Sequence, residues 1–209
     1  MKHEWRKKEK KIYIPKTKPE IIEVPEYNFL TISGKGNPNN PEFANYIGAL
    51  YPICYGIKMG LKKNPVLKNY YDYTVYPLEG VWDISDEAKK TYIKETVLNK
   101  DDLVFTLMVR QPVFITKEYV LETVDKVKTK KQNPLLNEVK FQKITEGKCI
   151  QMLHIGSYDN EPETFKIMEE FAKTQNLNRI SKIHREIYLS DFRKVAPEKL
   201  KTVLRFNVK

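Results

Sequence analysis

The chain states one short pattern twice, and that repetition constrains its fold more than any other feature. Phe29-Leu-Thr-Ile-Ser-Gly34, a polar Asn/Pro turn and the helix start Pro41, Glu42, Phe43 are echoed by Ile150-Gln-Met-Leu-His-Ile-Gly156, Asn160 and Pro162-Glu-Thr-Phe165. Each copy reads as a strand, a tight glycine corner and a helix with a proline in its first turn, where the missing N–H would have no partner anyway. Asn40 and Asn160 stand where N-caps belong. A duplicated strand-helix unit builds two half-sheets that need each other for a core, and the seam between them is a natural place for a ligand.

The remaining periodicities complete each half. Phe43, Ile47, Leu50, Cys54 and Leu61 follow the first helix start at near-helical spacing, with a kink expected at Pro52. Strands are expected over residues 70–82 and 102–110, with a helical turn between them within 85–99. Val120, Val124 and Val127 recur behind Thr116 and predict an amphipathic helix capped by that threonine. Phe165, Met168 and Ala172 supply the buried stripe of the second copy's helix, and strands over 183–190 and 201–208 close the chain. The order strand, helix, strand, strand in each half predicts an α+β fold. It is a pseudo-two-fold tandem repeat forming an antiparallel sheet, with helices on one face and a ligand cleft between the halves. The cleft is expected on the face opposite the helices. Residues 1–25 read as a basic, irregular or partly extended lead-in, and 26–209 as one domain with halves of about 26–112 and 113–209.

At 209 residues and 41% hydrophobic content the chain can bury a substantial core, and no apolar run approaches the length of a bilayer span. No secretory pattern follows the start, so a cytoplasmic protein without membrane contact is expected. Cys54 and Cys149 lack the spacing of a metal knuckle or redox pair and read as buried free thiols. The formal net charge of +10 raises nucleic acid as a partner, but the lysines are mostly scattered singly among acids. Local clusters occur at residues 6–11 and 126–131, and no nucleic-acid-binding motif accompanies them, so nucleic acid is not the expected partner. Three histidines do not suggest a metal site, and no cofactor is expected.

Strand alternation selects the chemistry-bearing residues, because side chains two apart share a face. His184, Glu186, Tyr188 and Ser190 share one face, and Arg185, Ile187 and Leu189 the other. In the first half Tyr71, Tyr73 and Val75 lead into a segment that places Glu79 near Trp82. One carboxylate per half with aromatic neighbours is therefore the favoured constellation. Aromatic side chains give a flat ligand large contact area, and a desolvated glutamate among them serves as a general base or pairs with a cation. The expected catalytic residues are Glu186, Tyr188 and Glu79; the expected ligand contacts are Trp82, Tyr71, Tyr55, Phe105, Met108 and Tyr158.

Tyr76-Pro-Leu-Glu-Gly-Val-Trp82, Phe105-Thr-Leu-Met-Val-Arg-Gln-Pro112 and His184-Arg-Glu-Ile-Tyr-Leu-Ser-Asp191 with Pro197-Glu-Lys-Leu-Lys-Thr-Val-Leu-Arg205 resemble the stand-alone GyrI-like small-molecule-binding proteins. The resemblance implies tandem strand-helix-strand-strand modules and a planar, hydrophobic, aromatic ligand. It also implies one of two roles: a cofactor-independent cyclopropanoid cyclopropyl hydrolase, which adds water to the strained ring of DNA-alkylating compounds, or a non-catalytic module that binds or senses lipophilic cations. A topoisomerase-inhibiting interaction ranks below both.

Overall fold

Residues 2–91 and 99–209 are described by the computed structural model, and their frame is a curled antiparallel sheet of eight strands. In chain order these are β1 (Glu20–Val24), β2 (Tyr27–Lys35), β3 (Leu78–Ile84), β4 (Leu103–Gln111), β5 (Lys140–Ile144), β6 (Gly147–Ile155), β7 (His184–Tyr188) and β8 (Lys201–Asn207). They lie in the order β1-β6-β8-β7-β3-β4-β2-β5. The seam between the run β1-β6-β8-β7 and the run β3-β4-β2-β5 is the β3–β7 pair, in which Gly80 lies opposite Glu186 and Trp82 opposite His184. The edge strands cross over: β1, which precedes β2, pairs with β6, while β5, which precedes β6, pairs with β2.

Two long helices stand on one face of this sheet. α3 (Phe43–Lys63) buries Ala49, Leu50, Ile53, Cys54, Ile57 and Leu61, a stripe at helical spacing. It packs over Leu30 and Ile32 of β2 and Leu107 and Val109 of β4. Each of these side chains contributes about 1.5–3 kcal/mol by leaving water. α5 (Lys117–Lys128) covers α3 from outside, and Thr116 caps it as expected, its Oγ1 accepting from the Tyr119 N–H at 3.3 Å. α6 (Glu161–Thr174) lays Met168 and Ala172 on Ile150, Met152, Leu204 and Phe206 of the other half.

Several local expectations need correction. α3 begins at Phe43 and runs through Pro52, so Asn40 is not its N-cap. Asn160 does precede α6, but its side chain makes no capping hydrogen bond. Residues 70–77 are irregular apart from a bridge at Tyr73, and the strand starts only at Leu78. The expected helical turn after residue 85 is α4 (Asp86–Thr91), and the rest of that stretch lies outside the described residues.

The lead-in is folded rather than irregular, and it covers the face where the cleft was expected. α1 (Trp5–Lys8) and α2 (Lys10–Tyr13) bury Trp5 and Tyr13 in the main core. Polar side chains of the sheet hold this segment by its backbone: Gln151 Nε2 donates to the Lys11 carbonyl at 2.7 Å and Arg205 Nη2 to the Ile12 carbonyl at 2.8 Å. Glu9 completes the attachment, accepting from Tyr76 Oη at 2.6 Å and pairing with Arg110. Cys54 and Cys149 are buried and free, and burial pushes both thiols up to about 12. No helix among the described residues is long and apolar enough to cross a membrane.

Candidate functional site

The cleft opens between α3 and α6 on the helix-bearing face, directly above the β3–β7 seam, with a volume of about 1990 Å³. That exceeds the usual range for a small-molecule site. Its position follows from the topology: each half carries its helix over its own strands, so the central pair is left uncovered. Phe43, Tyr51 and Tyr55 enter from α3, Trp82 from β3, and His184, Glu186 and Tyr188 from β7. Tyr158, Glu161 and Phe165 enter from the start of α6 and the turn before it.

Trp82 forms the principal aromatic surface. Its indole lies 6.0 Å from the Phe43 ring in a stacked arrangement and 5.2 Å from Phe105. The indole N–H donates to Tyr188 Oη at 2.8 Å. This bond leaves the phenolic proton of Tyr188 free for another acceptor, and Tyr158 meets the same ring edge-on at 6.0 Å. Gly80 lies beneath the contact: a β-carbon there would stand 2.7 Å from Trp82 Nε1 and 3.1 Å from Tyr188 Oη.

Two carboxylates sit at the floor. Glu161 is 6% exposed and Glu186 is 8% exposed, and Glu161 Oε1 has no hydrogen-bond partner. Burial, together with the charge of Glu186 beside it, holds the Glu161 carboxyl well above the usual carboxylate range. The raised value favours the neutral form of Glu161 beside Glu186. Burial and the same carboxylates push the Tyr158 phenol up to about 12, and burial and Glu186 hold Tyr188 well above its ordinary range, so both stay protonated. His184 Nε2 lies 3.0 Å from Glu186 Oε1. Among the described residues Glu161, His184 and Glu186 form the cluster able to hold a metal ion, with one ligand atom from each lying within 4.8 Å of the others.

The structure divides the residues expected from sequence. Glu186, Tyr188, Trp82, Tyr158 and Tyr55 line the cleft, Tyr55 at its rim with 52% exposure. Phe105 lies one layer down, as an edge-on support for Phe43 and Tyr46 at 5.1 Å each. Glu79 does not belong to the cleft: it is 1% exposed on the opposite face, accepting from Arg185 Nη1 at 2.7 Å and Tyr13 Oη at 3.3 Å. Adjacent residues on a strand point to opposite faces, so proximity to Trp82 in sequence could not bring Glu79 to it. Met108, paired opposite Glu79, is buried on that same far face. Tyr71 packs edge-on against Phe114 at 4.8 Å, also outside the cleft. The second carboxylate that sequence reasoning missed is Glu161. An acid in the first turn of a helix reads as a partner for the helix dipole, and only the α6–β7 packing reveals its position.

The sequence profile of the GyrI-like small molecule binding domain matches residues 17–209. The chain belongs to the GyrI-like family. It is 38% identical to an uncharacterized conserved protein from Listeria innocua, with 99% of this chain and 100% of that one covered at a TM-score of 0.88. A structure described as a hydrolase from Listeria innocua matches with the same identity and coverage at a TM-score of 0.86. The EcmrR C-terminal domain, 15% identical over 92% of this chain and 97% of that one at a TM-score of 0.51, shares the fold. Among curated proteins none matches. The GyrI-like profile begins after α1 and α2, so α2 against the far face of the sheet, and Trp5 and Arg6 of α1 at the cleft, precede the matched region.

Proposed function

We propose that this GyrI-like protein binds planar, hydrophobic aromatic molecules in the α3–α6 cleft and hydrolyses the strained cyclopropane of DNA-alkylating cyclopropanoid compounds. The observation that carries the reading is the buried Glu161–Glu186 pair on the floor of a cleft walled by Trp82, Phe43 and Tyr158. The hydrolase description of the Listeria relative agrees with it.

In this mechanism a flat substrate stacks on Trp82 and brings its ring carbon over Glu186. Glu186 removes a proton from water as the water oxygen bonds to that carbon. The ring C–C bond breaks, its electron pair moves into the substrate's conjugated acceptor, and Tyr188 or the Glu161 carboxyl donates to the oxygen where charge develops. Relief of ring strain supplies much of the driving force. Glu186→Gln preserves shape and removes the base, so turnover of a cyclopropane-bearing alkylator should fall by roughly 10²–10⁴ with little change in affinity. Trp82→Ala should instead weaken binding of substrate and transition state alike. Steady-state kinetics with purified protein decides: unchanged turnover in Glu186→Gln, or no acceleration over buffer despite measured binding, overturns the hydrolase reading.

A second reading, sequestration of lipophilic cations without turnover, is favoured by the same carboxylates among π-faces. It predicts that a cationic ligand binds far more tightly than its neutral isostere.

A further inference from the structure

We propose that Glu161, His184 and Glu186 form a binding site for a divalent transition-metal ion, zinc(II) being the best fit, and that metal bound there blocks turnover in the cleft. One nitrogen and two carboxylate groups suit zinc better than magnesium, which prefers an all-oxygen shell. The three residues stand on rigid elements: Glu161 opens α6, while His184 and Glu186 are same-face neighbours on β7. Their ligand atoms lie within 4.8 Å of one another, and His184 Nε2 and Glu186 Oε1 only 3.0 Å apart. Donors around a tetrahedral ion at about 2.1 Å stand about 3.4 Å apart, so closure needs side-chain shifts on the order of an ångström.

Both ring nitrogens of the histidine face acceptors. His184 Nδ1 lies 3.3 Å from the Lys182 carbonyl, which can only accept, so Nδ1 carries the hydrogen. Nε2 faces the Glu186 carboxylate, a second acceptor, so a cation at Nε2, whether a proton or a metal ion, satisfies the contact. Glu161 Oε1 is buried nearby without a partner. Arg179 and Lys182, which line the same side of the cleft, both pair with Glu169 at 2.8 Å. The Lys182 carbonyl and the Phe165 ring, 4.8 Å from the imidazole, also fix the orientation of His184, as outer partners do around metal-ligating histidines. All three residues line the cleft. A bound ion occupies the Glu186 lone pair that turnover requires, so the inhibitory effect rests on the proposed function while the binding itself does not.

The test uses the full chain after chelator treatment, titrated calorimetrically with zinc chloride and, separately, magnesium chloride. One zinc should bind per chain with a micromolar or lower dissociation constant, magnesium should not compete, and cobalt(II) should give the visible absorption of a tetrahedral site. Glu161→Gln and His184→Ala should each weaken zinc binding at least tenfold. His3→Ala, which removes the other histidine–carboxylate pair with Glu9, should leave it unchanged. Failure of the wild-type protein to bind zinc, or wild-type affinity in both cluster variants, overturns the proposal. Where turnover is measured, zinc should suppress it and chelator restore it; unaffected turnover under saturating zinc refutes the blocking role, and the calorimetry reads the site even in a protein without turnover.

Discussion

At the scale of single residues, the site depends on a side chain that Gly80 does not have. The Trp82–Tyr188 hydrogen bond passes over this position closely enough that a β-carbon would meet both partners. In Gly80→Ala the indole and phenol must separate, because the clash involves ring atoms anchored on two paired strands rather than the end of a flexible chain. The expected cost is about 1–3 kcal/mol of stability. Ligand affinity should fall at least tenfold with the far-UV circular dichroism unchanged; a variant that binds as tightly as wild type would show that the Trp82–Tyr188 contact does not shape the cleft. Strand alternation makes Glu186 and Tyr188 legible as a pair in the sequence, since residues two apart share a face. Glu79 misleads for the same reason applied carelessly: it is an odd step from Trp82, and its charge is consumed by Arg185.

At the scale of elements, one of the fastenings of the N-terminal segment is an acid, Glu9. Burial alone would raise the Glu9 carboxyl, but the Tyr76 hydrogen bond, the Arg110 charge and the bonds from His3 and Arg110 outweigh it and hold the group below its ordinary value. A carboxyl depressed in the folded state contributes stability that is fully present above its unfolded pKa of about 4.3 and is lost as pH falls through the folded value. Melting temperatures of wild type and Glu9→Gln should therefore differ most near neutrality, with the difference narrowing as pH falls below about 4.3. A difference that does not narrow at all on acidification would exclude Glu9 as the pH-dependent fastening. Elements with their own periodicity, such as α5 with Val120, Val124 and Val127, can be read from sequence. β1 and β5 cannot: each is five residues long, β5 contains Lys140, Gln142 and Lys143, and pairing with a neighbour rather than an apolar stripe makes it a strand. The lead-in hides its fold likewise, because its lysines dominate the composition while Trp5 and Tyr13 do the packing.

At the scale of the whole molecule, the cleft links ligand chemistry to global stability. A flat aromatic ligand at about 100 times its dissociation constant should stabilise the fold by roughly 2.7 kcal/mol, readable as a rise of several degrees in melting temperature. Comparing a cationic aromatic with its neutral isostere separates the two readings of the site: a cation binder loses most of the shift with the neutral compound, and a ring hydrolase keeps it. Absence of any shift across both sets would remove both. The seam is legible in the sequence as the place for a cleft, but the face on which it opens is not, because nothing in a lysine-rich start announces that it will seal the other side. The pairing of β3 with β7 beneath the seam also sets how the pocket can move. A continuous ladder of hydrogen bonds joins the two halves, so they cannot swing apart like jaws about a hinge. Accommodation of larger or smaller guests is expected at the rim, where Tyr55 and Phe192 stand largely in solvent, rather than at the laddered floor.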